Sequence, residues 1–442
     1  MDRGRFLDTS SRIRSDRRIN LKNKKITILG MARSGIAAAK RLSALGAKVM
    51  ISEVRSDVEV DPELNVTIEL GGHTDKALNA DLIVVSPGIH LDIPVLEKAK
   101  QEKIPIVSEI EIAYQILKKP IVAVTGTNGK TTTTTLISEM LKAGGKKAAV
   151  AGNIGYPLVA VDDTDLDYIV AEISSYQLET VKDFKPWISV ILNVQEDHIE
   201  RHGSLENYIN QKANIFKNQN GDDYVIFNEE DKRVVEMVRS AKAKLVGFSK
   251  NDHSIITLNK DEIKIPGVHN LENALAATQA AYLCGVERKV VADVLRTFPG
   301  VEHRIEPVKD INGISFYNDS KATNPDSTLV ALDTFKGKSV ILILGGKDKG
   351  TKLDVLCKKV KEGVKAVILI GEATVRFKQA LEQTGYSEVK LSGSMEEAVK
   401  LSFDLGEKGD IVLLSPACAS FDMFKNFEER GKVFKKVVAR LA

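Results

Sequence analysis

The chain has 442 residues, enough for two to four domains, and its 43% apolar and 28% charged fractions are those of an ordinary globular protein. Its longest apolar runs, such as 339–344 and 365–370, are strand-length and fall well short of the roughly 18 residues that cross a bilayer. The formal charge of +3 is concentrated at the start, where nine Lys or Arg in residues 1–25 face three Asp; without that +6 the remainder stands at −3, which excludes a basic nucleic-acid-binding body. The basic stretch 1–22 has acids and no apolar core segment, so it reads as an extension and not a sorting signal. Cys284, Cys357 and Cys418 are odd in number, far apart and in no CxxC pair, which fits buried thiols in a reducing cytoplasm.

After the extension, short Val/Ile-rich runs alternate with amphipathic stretches. Candidate strands cover 26–30, 49–52, 82–86, 121–125, 168–173, 187–193, 225–228, 340–345, 366–371 and 411–415. Their continuous apolar character suits strands covered by helices on both faces, hence mostly parallel α/β sheets, and they are too many for one open sheet. Seams near Glu109 and near Pro299-Gly300 divide the chain into 23–109, 110–301 and 302–442.

In the first segment, a strand at 24–30 leads into the turn Gly30-Met-Ala-Arg-Ser-Gly35, a helix at 36–45 and a strand ending at Glu53. This is the layout of a dinucleotide-binding βαβ unit, with an acid about 20 residues after the first glycine. Ala32 stands where the second glycine would let the backbone approach a pyrophosphate. Three readings stay open for this turn: a dinucleotide, the phosphates of another nucleotide, or a structural role.

The second segment carries the strongest motif. Ile121–Thr125 runs into Gly126-Thr127-Asn128-Gly129-Lys130-Thr131-Thr132, a short phosphate loop that opens a helix. Glycines let backbone N–H groups face phosphate oxygens, the helix N-terminus adds partial positive charge, Lys130 reaches the β and γ phosphates, and the Thr131 hydroxyl suits Mg²⁺. Glu172 ends the next strand and His198 follows Glu196-Asp197 after another, both where open α/β sheets place ligands.

Together these motifs resemble the Mur ligase superfamily over almost everything after the extension. The resemblance rests on Gly126–Thr131, Glu172-Ile-Ser-Ser, Asn193 to His198, His269-Asn-Leu-Glu-Asn273, Glu302-His-Arg304 and Asn318-Asp-Ser-Lys-Ala-Thr-Asn324. The first turn, Ser86-Pro-Gly-Ile89, Gly345-Gly-Lys-Asp-Lys349 and Ser415 to Phe427 are most similar to its glutamate-adding branch.

The resemblance implies three α/β domains: a Rossmann-like N-terminal domain for a UDP-linked substrate, a central P-loop ATPase-like domain with a mostly parallel sheet, and a C-terminal Rossmann-like domain for the amino acid. It implies that ATP activates the carboxylate of UDP-N-acetylmuramoyl-L-alanine as an acyl phosphate, which the glutamate amine attacks through a tetrahedral intermediate. Mg²⁺ at two sites would offset the meeting of two anions, and domain closure would exclude water.

By resemblance, Gly126 through Thr132 hold the ATP phosphates, with Asn270, Asn273, Arg304, Asp319 and Lys321 around the rest of the nucleotide. Thr131, Glu172, His198 and Lys212 serve the metals, Lys212 as a carbamate; a plain surface lysine is the other reading of that residue. Lys130, His198 and Lys212 carry the catalytic roles. Arg33, Ser34, Glu53, Arg55, Gly88 and Asn153 match the UDP-substrate surface, and Thr323, Lys349, Ser420 and Phe427 match positions that hold glutamate. The expected enzyme is a cytoplasmic monomer of peptidoglycan precursor synthesis, with no nucleic-acid or membrane partner. Rival readings are a folylpolyglutamate synthase, a nicotinamide-dependent dehydrogenase and a P-loop switch protein.

Overall fold

The computed structural model describes residues 20–441 except 59, 62, 63, 65, 253, 257, 259 and 266, so most of the basic extension lies outside the described residues. Among them are three α/β sheets. The first is built from Lys25–Leu29 (β1), Lys48–Glu53 (β2), Thr67–Leu70 (β3), Leu82–Val85 (β4) and Ile106–Ser108 (β5), in the order β3-β2-β1-β4-β5. The second uses Ile121–Thr125 (β6), Ala148–Gly152 (β7), Tyr168–Glu172 (β8), Ile188–Ile191 (β9), Tyr224–Asn228 (β10) and Lys244–Phe248 (β11), ordered β11-β10-β9-β6-β8-β7. Glu306–Ile311 (β12), Ile314–Asn318 (β13), Val340–Gly345 (β14), Val364–Ile370 (β15), Val389–Ser392 (β16) and Ile411–Leu414 (β17) form the third, ordered β12-β13-β17-β14-β15-β16.

Every strand pairing is parallel except β12 with β13. That exception has a local cause. Asn312-Gly313 joins the two strands with φ of 56° and 81°, the left-handed pair that a tight hairpin turn requires. All ten sequence-predicted strands are present, and the central ones, such as β4, β6, β8, β9, β14 and β17, are buried along their whole length. The strands that apolar runs missed are the six sheet edges and β13. An edge strand has one open flank and needs less apolar side chain, so it leaves a weaker trace in the sequence. The helix after β1 runs Arg33–Ala44, starting three residues before the predicted 36–45, and a helix at Leu205–Ala213 carries Lys212.

The contacts divide the chain into two compact units, Met1–Ile263 with Asn270–Arg296, and Lys264–His269 with Thr297–Ala442. The first unit contains two sheets; one apolar cluster runs from Ile26, Ile28 and Leu42 to Ile169, Ile191 and Val225, and a separate one gathers Leu29, Ile83, Val85 and Leu96. Helix Glu109–Ile116 lies within the first of these and buries Ile110, Ile112 and Ala113. The second unit packs apolar side chains on both faces of its sheet, Leu342, Val367 and Leu413 on one and Ile341, Ile368 and Val412 on the other. Among the described residues, no helix is long and apolar enough to cross a membrane.

The core helix also buries two carboxylates. Glu111 accepts three backbone N–H groups, from Lys182, Asp183 and Phe184, at 2.9, 3.0 and 2.9 Å. Glu109 accepts from Val159 N–H at 2.5 Å, and burial pushes its carboxyl up to about 7 despite that bond. A carboxyl raised in the folded state keeps its proton there longer than in the unfolded chain. The first unit should therefore lose stability as pH rises from about 4.5 to about 7. Glu109→Gln should remove a loss of about 3 kcal/mol, the scale of a shift of that size. Urea midpoints at pH 5 and pH 8 measure it; an unaltered pH difference in the variant would show that Glu109 is not the group responsible.

Candidate active site

In each sheet the chain crosses from one side of a central strand, β1, β6 or β14, to the other, which leaves a crevice at the strand C-termini where the order reverses. The crevices lie between β1 and β4, β6 and β9, and β14 and β17. The loops leaving those strands carry Arg33 and Gly88, Lys130 and His198, and Lys349 and Ser420. The residue types singled out by motif are thus at the three reversal points.

At the second sheet, β6 runs into the phosphate loop and helix Lys130–Ala143 follows. Gly129 has φ of 85°, and a Cβ there would lie 2.2 Å from Asn273 Oδ1, so glycine is needed on both counts. Asn273 also accepts from Thr133 Oγ1 at 3.3 Å and donates to Asn270 at 3.2 Å, which places both asparagines behind the loop. The loop after β9 forms the other wall. Asn193 accepts from Thr127 N–H and Asn128 N–H at 2.9 and 2.8 Å, and Gln195 accepts from the Asn128 side chain at 3.0 Å.

Lys130 Nζ donates to the carbonyls of Gly126 and Thr127 at 2.8 and 2.7 Å. Thr131 Oγ1 donates to Glu172 Oε2 at 2.8 Å, and Asn153 Nδ2 donates to Glu172 Oε1 at 2.8 Å. The structure thus brings Asn153, predicted on the UDP-substrate surface, against a predicted metal ligand. Lys212 is not the surface lysine of the bland reading: it is 1% exposed, donates to Gly126 O at 3.0 Å and sits 4.5 Å from the centre of the Tyr208 ring. Burial holds its amine well below the usual lysine range, the nearby Lys130 charge adds to that, and Asp197 opposes it. His198 has φ of 54°, and its Nδ1 lies 2.7 Å from the Tyr176 hydroxyl.

Two oxygen donors, the Thr131 hydroxyl and the Glu172 carboxylate, are the type Mg²⁺ prefers. Among the described residues no group of three or more His, Cys, Asp or Glu could hold a metal by themselves. A magnesium ion here would complete its shell with phosphate oxygens and water, its usual habit beside bound nucleotide.

In the first sheet, Glu53 accepts from Met31 N–H at 2.7 Å and from Arg55 N–H and Nε at 3.1 and 3.0 Å. The Arg55 side chain, helped by those backbone bonds and opposed by burial, holds its carboxyl down to about 2. The acid therefore fixes the turn as well as lining it. The Arg33 guanidinium donates to Gly155 O in the loop that carries Asn153, while Ser34 is half-buried and Gly88 is exposed with open space around it.

In the second unit, Lys349 Nζ donates to Thr323 O at 3.2 Å, so two predicted glutamate-side residues meet. Lys321 Nζ lies 5.2 Å from the centre of the Phe427 ring, and Ser420 is buried. Asp319 turns inward, accepting from Ile305 N–H at 3.2 Å and Ser415 Oγ at 2.7 Å. Burial raises its carboxyl to about 7, against the opposing charge of half-buried Arg304.

Two residues that motif reading missed are central. Tyr208 lies four residues before Lys212 on one helix, a spacing that predicts contact, and its hydroxyl is 3.2 Å from Thr127 Oγ1. Arg430 follows Glu428 and Glu429 and reads as a solvated helix face, yet it is 1% exposed. It donates to Ser320 Oγ and O at 3.0 and 2.8 Å and to the carbonyls of Cys418 and Ala419 at 3.1 Å each. No sequence signal marks it.

The chain belongs to the Mur ligase family. Residues 24–108 match the Mur ligase MurD-like N-terminal domain, 124–281 the Mur ligase middle domain, and 303–418 the Mur ligase glutamate ligase domain. A UDP-N-acetylmuramoylalanine–D-glutamate ligase of Thermoanaerobacter sp. (strain X514) is 45% identical, covering 96% of this chain and all of the relative. The enzyme of that name from Clostridioides difficile (strain 630) is 40% identical over the same shares. Among solved structures, the UDP-N-acetylmuramate–alanine ligase MurC of Thermotoga maritima aligns with a TM-score of 0.60 at 21% identity, covering 95% of this chain and 100% of that one. FolC of E. coli, solved with DHPP and ADP, aligns with a TM-score of 0.56 at 16% identity over 75% of this chain and 92% of that one. These two structures share the fold.

Gly35 is where the first turn leaves no room for a side chain, because a Cβ there would lie 2.0 Å from the Gly30 carbonyl oxygen. The obstacle is backbone, which cannot rotate aside. Gly35→Ala should destabilise the first unit by about 1–3 kcal/mol, measured as a lower urea midpoint; an unchanged midpoint would mean that the turn can widen.

Proposed function

We propose that this chain joins D-glutamate to UDP-N-acetylmuramoyl-L-alanine with consumption of ATP, in cytoplasmic peptidoglycan precursor synthesis. The observation that carries this is full-length similarity at 40–46% identity to enzymes bearing that activity in their names, over a chain with a MurD-like N-terminal domain. A folylpolyglutamate synthase is the second reading. The match at residues 24–108 speaks against it, as does the smaller share of this chain that FolC covers.

We take residues 23–109 as the UDP-substrate domain, 110–301 as the ATP domain and 302–442 as the amino-acid domain, in an enzyme acting as a monomer. Lys130 and the loop N–H groups from Gly126 to Thr132 would hold the triphosphate, and Asn270, Asn273, Arg304, Asp319 and Lys321 the rest of ATP. Thr131 and Glu172 would hold one Mg²⁺, with His198 and modified Lys212 at a second. A metal held there would supply charge neutralisation for the phosphates and polarisation of the phosphoryl group. Arg33, Ser34, Glu53, Arg55, Gly88 and Asn153 would hold the UDP-substrate; Thr323, Lys349, Ser420 and Phe427 would orient glutamate so that its amine meets the acyl phosphate. Phosphate release should require Mg·ATP, the UDP-muramoyl acceptor and D-glutamate together; release independent of the amino acid would overturn the assignment.

Lys130 supplies the loop's point charge. Lys130→Ala should lower turnover by about 10²-fold or more, the scale of one electrostatic stabiliser, while the variant remains folded by circular dichroism. Near-normal ligation by folded variant would remove Lys130 from the mechanism.

Lys212 has the chemistry of a carbamate precursor, since burial favours its neutral amine and only a neutral amine attacks CO₂. The nitrogen forms a bond to the carbon of CO₂ and releases one proton, and the side chain becomes a carboxylate-like anion. With ¹³C-bicarbonate, the wild type should show a carbamate carbon resonance that Lys212→Ala lacks. The variant should lose orders of magnitude in activity and regain part of it with acetate, but none with bicarbonate. Absence of the resonance, or full activity of the variant, would sink this role.

A further inference from the structure

We propose that the Arg376–Asp348 ion pair is the positioning element for Lys349, and so sets how tightly the enzyme holds glutamate; this rests on the reading of Lys349 as a glutamate-binding residue. Lys349 lies in the loop 345–351 that leaves β14. The first half of that loop is fixed by backbone. Gly345 N–H donates to Pro416 O and Lys347 N–H to Ala419 O, each at 2.9 Å, and Gly346 packs so closely that a Cβ would lie 2.3 Å from Ala419 O. Beyond Asp348 the loop runs exposed through Lys349 and Gly350, and the next buried apolar side chain is Leu353. Burial therefore does little to hold the part that carries the ammonium group.

Arg376 holds it instead. Its Nε and Nη2 donate to the two oxygens of Asp348 at 2.6 Å each, and Nη1 donates to Thr351 O at 2.8 Å. One guanidinium thus grips the loop on both sides of Lys349. Asp348 also accepts from Gly350 N–H at 2.9 Å, closing the turn beneath the lysine. Arg376 itself stands on helix Thr374–Gln383, which is anchored by fully buried Phe377 and Leu381. The planar fork and its third donor have no equivalent in a lysine, whose ammonium is a single point of charge.

An ion pair with side chains 35% and 22% exposed adds little to stability. Its effect should lie in order: a loop already fixed spends less entropy when glutamate binds. That distinction makes the proposal testable. In the full chain, Arg376→Lys keeps the charge and loses the fork. With ATP and the UDP-linked acceptor saturating, KM for D-glutamate should rise about tenfold, equivalent to roughly 1.4 kcal/mol, while KM for ATP and the melting temperature hold. Asp348→Asn, which keeps an acceptor for Gly350 but removes the charge, should shift the same constant in the same direction. Adding Arg376→Lys to Lys349→Met should raise the glutamate KM no further, because the fork acts through that lysine. An unchanged glutamate KM in Arg376→Lys, or additive effects in the double variant, overturns the proposal. If Lys349→Met itself leaves the glutamate KM unchanged, the reading of Lys349 falls and the fork falls with it. If Lys349→Met raises KM and Arg376→Lys does not, only the fork is lost.

Discussion

Two lysine amines share the carbonyl of Gly126, and the character of the central crevice depends on how that crowding is resolved. Lys130 and Lys212 approach the same oxygen at 2.8 and 3.0 Å. Two ammonium ions so placed would repel strongly, and one of them has almost no access to water. Burial disfavours the charged form of Lys212 and holds its amine well below the usual lysine range, and the neighbouring cation drives the shift further in the same direction. The shift favours the neutral, nucleophilic form of the Lys212 amine. One carbonyl therefore holds two identical side chains in different surroundings, Lys212 fully buried and Lys130 half-buried.

That helix face is held by contacts that touch both partners. Tyr208 covers the Lys212 amine and meets Thr127 in the phosphate loop. Thr127 and Asn128 are in turn bonded to Asn193 and Gln195 after β9. The crevice between β6 and β9 is thus lined by groups already hydrogen-bonded to one another. Glu172, bonded to Thr131 and Asn153, extends the set toward the loop that meets Arg33.

The C-terminal unit solves a different problem. Its loops combine small buried side chains, such as Ala322, Ala417 and Cys418, with charged groups that hold them. Arg430 binds four backbone or hydroxyl oxygens in the interior, and burial lowers its guanidinium to about 10. Asp319, turned inward, joins the end of β13 to Ser415 after β17. Removing either would leave several buried polar groups without partners, which costs more than the bonds themselves contribute.

The interior strands and the phosphate loop were legible in the sequence because their signals are local. A strand covered on both faces must be apolar throughout, and a loop that cradles phosphate must place glycine and lysine at fixed spacing. The six edge strands were not legible, since an edge needs no such run. β13 was hidden by its alternating pattern, although the Asn312-Gly313 turn before it was a readable hairpin signal. Motif order alone picked out Lys130, Glu172, His198, Lys212 and Lys349. It could not say that Lys212 is buried beside Lys130, that Asp319 faces inward, or that Arg430 and Arg376 hold the loops around them. Those facts depend on which distant segments pack together, and the same arginine can be a solvated surface charge or a buried clamp according to what the fold brings against it.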